Sequence, residues 1–190
     1  WIFRKLIMTK LKFLITVTLL MSFQLNAQKF YTRSGNTSIE GSEKSFEPVS
    51  AFNETTTVIL DLKSNNLVAQ VFIAGFEFKN ALMQEHFNEN YMDTNKYPKA
   101  IFKGTISNFS LDEVKKIEGN GLITGTLTVK GIDKKIEVSI NIKEESNRIY
   151  LSGNFYVKPE DFDIKIPTIV QDKIAKEIQI NINYELVEKK

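Results

Sequence analysis

Alternation of apolar and polar side chains with a period of two, repeated in segment after segment, is the feature that most restricts what this chain can become. Lys135-Ile-Glu-Val-Ser-Ile-Asn-Ile142 sets Ile136, Val138, Ile140 and Ile142 on one side and Glu137, Ser139 and Asn141 on the other. The same rule runs through Ile178, Ile180, Ile182, Tyr184 and Leu186, through Ile149, Leu151, Gly153, Phe155 and Val157, and through Ile123, Gly125, Leu127 and Val129. This is the pattern of a strand with one face in a core and the other in water, which is typical of antiparallel sheets. Ser64-Asn-Asn66, Lys130-Gly-Ile-Asp133 and Glu144-Glu-Ser-Asn147 are short, polar and suited to hairpins, so consecutive strands should be antiparallel neighbours.

The pattern predicts eight strands, near residues 29–33, 56–62, 67–78, 100–108, 118–129, 134–143, 148–157 and 176–186. Between the third and fourth, Leu82, Met83, Phe87 and Tyr91 recur at spacings of three to four, which predicts a short helix over residues 80–91. Pro159 and Pro167 confine residues 158–175 to loop, turn and one short helical turn. Residues 34–55, rich in Ser, Gly, Thr and Glu, read as an irregular connection or weak strands. An all-β, eight-stranded antiparallel barrel with one short helix between strands follows, because closure removes the exposed edges of an open sheet; a β-sandwich is the rival. A barrel of eight strands is just wide enough to be filled by side chains or to hold one small ligand.

The first 27 residues differ from the rest. Arg4, Lys5, Lys10 and Lys12 stand there without an acid, ahead of an apolar run over residues 13–23 and a small residue at Ala27. The run is about half the ~20 residues a membrane-spanning helix needs, so residues 1–27 read as a secretory signal peptide, with an uncleaved anchor or an amphipathic helix as the alternative. Met8 looks like a natural start, and Leu25 leaves the cleavage position open. Removing this segment takes away four of 25 basic side chains and leaves 21 against 23 acids, so the net charge falls from +2 to −2 over residues 28–190. A slightly acidic domain has no electrostatic footprint for nucleic acid. A polytopic membrane protein is excluded, any membrane contact would be transient, and the location implied is periplasmic or secreted.

The inventory of reactive groups is thin. The chain has no cysteine and one histidine, His86, so disulfides, thiol catalysis and histidine-built metal sites are excluded. Beside Glu85 on a polar helix face, His86 reads as an exposed or hydrogen-bonded structural residue. Asp161 with Asp163, and Glu85, Glu89 and Asp93, read as solvated charges, with no calcium-loop glycine near either set. Gly119-Asn-Gly121 and Gly125 lack the Lys-Ser/Thr end of a phosphate loop and read as a bulge or strand entry. Tyr97-Pro98 reads as a rigid strand entry. No catalytic set and no metal ligands are expected.

Three separated motifs occur in order: Leu82-Met-Gln-Glu-His-Phe-Asn-Glu-Asn-Tyr-Met-Asp-Thr-Asn-Lys-Tyr-Pro-Lys-Ala-Ile-Phe-Lys-Gly104, Gly125-Thr-Leu-Thr-Val-Lys-Gly-Ile-Asp133 and Asp163-Ile-Lys-Ile-Pro-Thr-Ile-Val170. With them the chain, from about Phe30 to its C-terminus, resembles the YceI-like family. The resemblance implies a lipocalin-like extended barrel, typically exported, whose interior holds a long amphiphilic lipid such as a polyisoprenoid. Where many members carry a His-Ser pair on the first strand, this chain reads Tyr31-Thr-Arg-Ser-Gly-Asn-Thr-Ser-Ile-Glu40.

Phe72, Phe76, Phe78, Met83, Phe87, Phe102, Leu127, Val129 and Phe155 are the residues expected to point inward and line such a cavity; the alternative is that they simply pack the barrel core. The expected function is that of an exported, non-enzymatic protein that sequesters or carries an isoprenoid-like lipid. The bound molecule would be a polyisoprenoid or isoprenoid quinone rather than a catalytic cofactor. The alternative is an envelope or stress-response protein acting through a protein partner. A lipid hydrolase or isomerase ranks below both, because no triad or oxyanion arrangement is readable. The oligomeric state stays open, a homodimer included.

Overall fold

A computed structural model describes residues 29–42, 48–107 and 119–189. The expected signal peptide lies outside the described residues. The principal strands are β1 (Lys29–Ser42), β2 (Ser50–Asp61), β3 (Asn66–Phe72), β5 (Lys99–Ser107), β6 (Gly119–Val129), β7 (Ile132–Glu145), β8 (Arg148–Val157) and β9 (Ile174–Glu188). They pair in the order β1-β9-β8-β7-β6-β5-β3-β2, and β2 pairs back onto β1. Each pairing is antiparallel, so the sheet closes into an eight-stranded barrel with no free edge. The two-residue β4 (Glu77–Phe78) adds to β2 outside the ring.

Hairpin chemistry sets the register where the sequence announced it. Lys130 and Gly131 both have positive φ (52° and 78°), as do Ser146 and Asn147 (53° and 62°). Two such residues between paired ends, Val129 with Ile132 and Glu145 with Arg148, make the turns whose twist matches the flanking strands.

Two strands change which face points inward, and a turn does the same after a third. Along β1 the inward, buried positions are Phe30 and Thr32, then Gly35 and Thr37, with register shifts on either side of Gly35. Along β2 they are Ala51 and Asn53, then Thr56, Val58 and Leu60. Asn53 fixes that irregularity: its Oδ1 accepts from the Thr55 backbone N–H (2.8 Å) and hydroxyl (2.9 Å), while its Nδ2 donates to the Phe72 carbonyl (3.1 Å). After β3, a 3₁₀ turn at Ile73–Gly75 shifts the phase before Phe76 and β4. The expected strands 29–33 and 56–62 therefore stop at phase changes, and residues 34–55 are mostly strand. The expected strand 67–78 ends at Phe72.

The short helix α1 (Ala81–His86) runs on into a π-helical turn at Phe87–Tyr91. The Asn80 side chain caps it by accepting from the Leu82 and Met83 N–H groups (2.9 and 3.3 Å). Two 3₁₀ turns, Pro159–Phe162 and Thr168–Val170, occupy the proline-bearing connection before β9.

The two ends of the barrel differ. At the end holding the β2–β3 and β7–β8 turns, Phe30, Leu60, Ile106, Ile142, Ile149 and Leu186 interdigitate into a solid core, with Leu60, Ile149 and Leu186 at 0% exposure. Toward the other end, inward-facing residues of the same strands become only half-buried: Ile136 on β7, Leu127 and Val129 on β6, Phe155 and Val157 on β8, Ile178 and Ile180 on β9. A side chain that points into a closed barrel yet stays accessible lines a space. A second cluster of Ala51, Ile73, Phe76 and Met92, flanked by Phe78 and Phe87, seats the helical segment across this open end.

Candidate functional site

The half-buried inward faces enclose a cavity of about 330 Å³. Its wall is mostly aliphatic and aromatic, and its polar contributors are confined to Thr37, Thr56 and Tyr184 at the closed end and Tyr91, His86 and Lys173 toward the mouth. Over the mouth lie α1 with its π-helical turn, through Met83, His86, Phe87, Tyr91 and Met92, and the connection before β9, through Pro159, Phe162, Ile164, Ile166 and Val170. The Phe87 ring packs edge-on to Phe76 (centroids 5.9 Å apart) and tilted against Phe78 (4.9 Å), which ties the helical segment to the rim.

Of the nine residues expected to point inward, Phe76, Phe78, Met83, Phe87, Phe102, Leu127, Val129 and Phe155 border the cavity. Phe72 does not. It lies on the outer face, 47% exposed, with the Lys99 ammonium 4.8 Å from its ring centroid. The inward positions of β3 are Leu67, Ala69 and Val71, so Phe72 has the wrong phase; Phe76 and Phe78 regain the inside only through the 3₁₀ turn between them. Val71, Ile73, Ile123, Ile136, Ile164, Ile166, Ile178, Ile180 and Ile182 also border the cavity and were not singled out. Strand alternation already marked Ile123, Ile136, Ile178, Ile180 and Ile182, whereas Ile164 and Ile166 sit in an irregular segment without such a signal.

Phe102 shows how the interior is shaped. Gly104 and Gly125 stand opposite each other on β5 and β6, and the Phe102 ring lies over both: a Cβ at Gly104 would meet its Cζ at 2.6 Å, and one at Gly125 at 2.7 Å. Gly125 is therefore a mid-strand position rather than a bulge, and glycine there leaves room for an aromatic ring inside the wall. Gly119 begins β6, as a strand entry should. Tyr97-Pro98 immediately precedes β5, where the Pro98 carbonyl accepts from the Ile73 N–H (2.9 Å).

The charged groups do not gather. His86 is exposed at the rim. Asp161 pairs with Lys134 at 3.2 Å in the open, and Asp163 ends a 3₁₀ turn in the left-handed region (φ 51°). Among the described residues no three His, Asp or Glu side chains are placed to hold a metal ion. At the closed end the Tyr184 phenol is pushed up to about 12 by burial, partly opposed by its hydrogen bond with Thr37, and toward the mouth burial also raises Tyr91. The arrangement can enclose an apolar chain, and it offers hydroxyls at the closed end of the cavity.

The same architecture recurs in solved structures. A polyisoprenoid binding domain from Saccharophagus degradans, implicated in plant cell wall breakdown, superposes with a TM-score of 0.70 at 12% identity, covering 86% of this chain and 99% of that one. BcnA of Burkholderia cenocepacia gives 0.65 at 16%, covering 80% and 96%. The Campylobacter jejuni YCEI protein gives 0.56 at 23%, covering 72% and 81%. At these identities the likeness establishes the fold. No curated protein matches the sequence. The model of the YceI-like domain matches residues 17–186, and the chain therefore belongs to the YceI-like family.

Proposed function

We propose that this protein is an exported carrier that sequesters one amphiphilic, isoprenoid-like lipid in the open half of its barrel. The observation that carries the proposal is the accessible apolar wall inside a closed barrel: core packing alone would bury Leu127, Phe155 and Ile178 as completely as Leu186. Each methylene placed against that wall gains roughly 0.8 kcal/mol, so a long hydrocarbon chain binds without a charge partner. The polyisoprenoid binding domain among the structural neighbours supports the ligand class. The basic, then apolar, leader supports export.

Binding is the activity proposed, not catalysis, because the cavity brings together no nucleophile, base and oxyanion donor. The test is titration of lipid-stripped protein with an environment-sensitive apolar dye, followed by displacement with prenols of increasing length. Saturable 1:1 displacement supports the carrier; a dye signal that never saturates, or that prenols leave untouched, overturns it. The intact mass of the exported protein, expected to begin near Gln28, checks the leader.

A further inference from the structure

Away from its mouth the cavity is apolar except at the closed end, where three hydroxyls meet. Thr37 Oγ1 lies 2.8 Å from Thr56 Oγ1 and 3.0 Å from the Tyr184 hydroxyl. All three residues are buried, at 7%, 2% and 4% exposure, and all three border the cavity beside Leu67, Ile123 and Leu151. The fold makes room for this cluster: a Cβ at Gly35 would meet the Tyr184 ring at 2.6 Å, and the register shifts around Gly35 bring Thr37 to the inside. Three hydroxyls carry three hydrogens, and the two contacts use two. Whichever way the chain of hydrogen bonds is oriented, one O–H is left over in an apolar surround, where an unanswered donor is costly.

From this we propose that the Thr37–Thr56–Tyr184 cluster is a recognition site for an uncharged oxygen acceptor, a carbonyl or ether, on the end of the ligand that enters first. The lipid then lies with its neutral polar end on the floor and its hydrocarbon chain running out toward α1. An anionic end is disfavoured there because the cationic side chain bordering the cavity, Lys173, is exposed toward the mouth, and a buried charge without a partner is heavily penalised. The inference rests on the carrier function proposed above and adds the orientation and chemistry of the bound end.

The test uses lipid-stripped protein and three probes of matched chain length: a terpenoid methyl ketone, the hydrocarbon with CH₂ in place of the carbonyl, and the corresponding carboxylate. Wild type should bind the ketone about tenfold more tightly than the hydrocarbon, the effect of roughly one hydrogen bond, and the carboxylate more weakly than the ketone. The carbonyl stretch of the bound ketone should fall below its value in alkane. Replacing the whole network by apolar groups of similar shape, T37V/T56V/Y184F, should abolish the ketone preference and leave hydrocarbon affinity within about twofold. Equal affinities of wild type for ketone and hydrocarbon, or a preference that survives in the triple variant, overturns the site while leaving the carrier standing. Failure of wild type to bind any probe overturns both. If the triple variant does not fold, the wild-type affinity ratio and carbonyl stretch decide.

Discussion

Leu186 and Leu127 carry the same side chain on inward positions of neighbouring parts of one barrel, yet truncating them should have different costs. Leu186 is at 0% exposure in the solid end and does not border the cavity, whereas Leu127 is half-buried and does. Leu186→Ala removes three buried carbons, about 2.4 kcal/mol of transfer free energy, and leaves a new closed void, for a total of about 3–4 kcal/mol. Leu127→Ala removes carbons already partly in contact with the cavity and merely enlarges a space that exists, so its cost should be about 1 kcal/mol. Urea unfolding of lipid-stripped protein measures both. With a slope of about 2 kcal/mol per molar, the midpoint should fall by roughly 1.5–2 M for Leu186→Ala and about 0.5 M for Leu127→Ala, without a change in slope. Lipid should narrow the gap between the variants, because a ligand at a hundred times its Kd adds about 2.7 kcal/mol to the wild type, and Leu127→Ala, having lost wall contacts, should gain less. Equal costs for the two variants in stripped protein would refute the division of the barrel into a solid and an open half.

Other consequences follow from particular contacts. A Cβ at Gly125 would lie 2.4 Å from the Lys103 carbonyl oxygen and 2.6 Å from the Gly104 Cα, whereas at Gly121 the nearest atom is the movable Ile142 Cδ1 at 2.8 Å; thermal unfolding should therefore show Gly125→Ala costing about 2–3 kcal/mol and Gly121→Ala under about 1. Tyr184, raised from 10.0 to about 12, is neutral in the fold and contributes stability present below pH 10 that is lost as pH rises toward 12. Denaturant midpoints across that range should fall less steeply for Tyr184→Phe than for wild type. Phe72→Ser, on the outer face, should leave lipid affinity unchanged, while Leu127→Glu should weaken it more than tenfold by placing a carboxylate in the apolar wall; both are read by dye displacement.

The barrel was legible wherever its inward face is apolar and in constant phase. Strands β6 to β9 meet that condition, and alternation located them to within a few residues. It was weakest on the second half of β1 and the start of β2, where many inward positions are small or polar, Gly35, Thr37, Gly41 and Asn53 among them, and the phase changes at bulges, so that this stretch read only as an irregular connection or weak strands. The same polarity hid the hydroxyl cluster. Phe72 was misplaced for a related reason: no residue type announces the 3₁₀ turn that separates its phase from that of Phe76. Nor could alternation distinguish an emptied half from a filled one, since Leu127 and Leu186 look alike as letters and differ only in what the opposite wall supplies. That difference is set by which strands face each other and by the helical segment across the mouth.

That the open half of the barrel holds a lipid is tested most directly by native mass spectrometry of the protein expressed from its full sequence in a host that makes polyprenyl lipids. The expected result is a 1:1 adduct that is lost on denaturation and is recovered by organic extraction as a long-chain amphiphile. A clean unliganded mass that persists after incubation with isoprenoid quinones and prenols would contradict it.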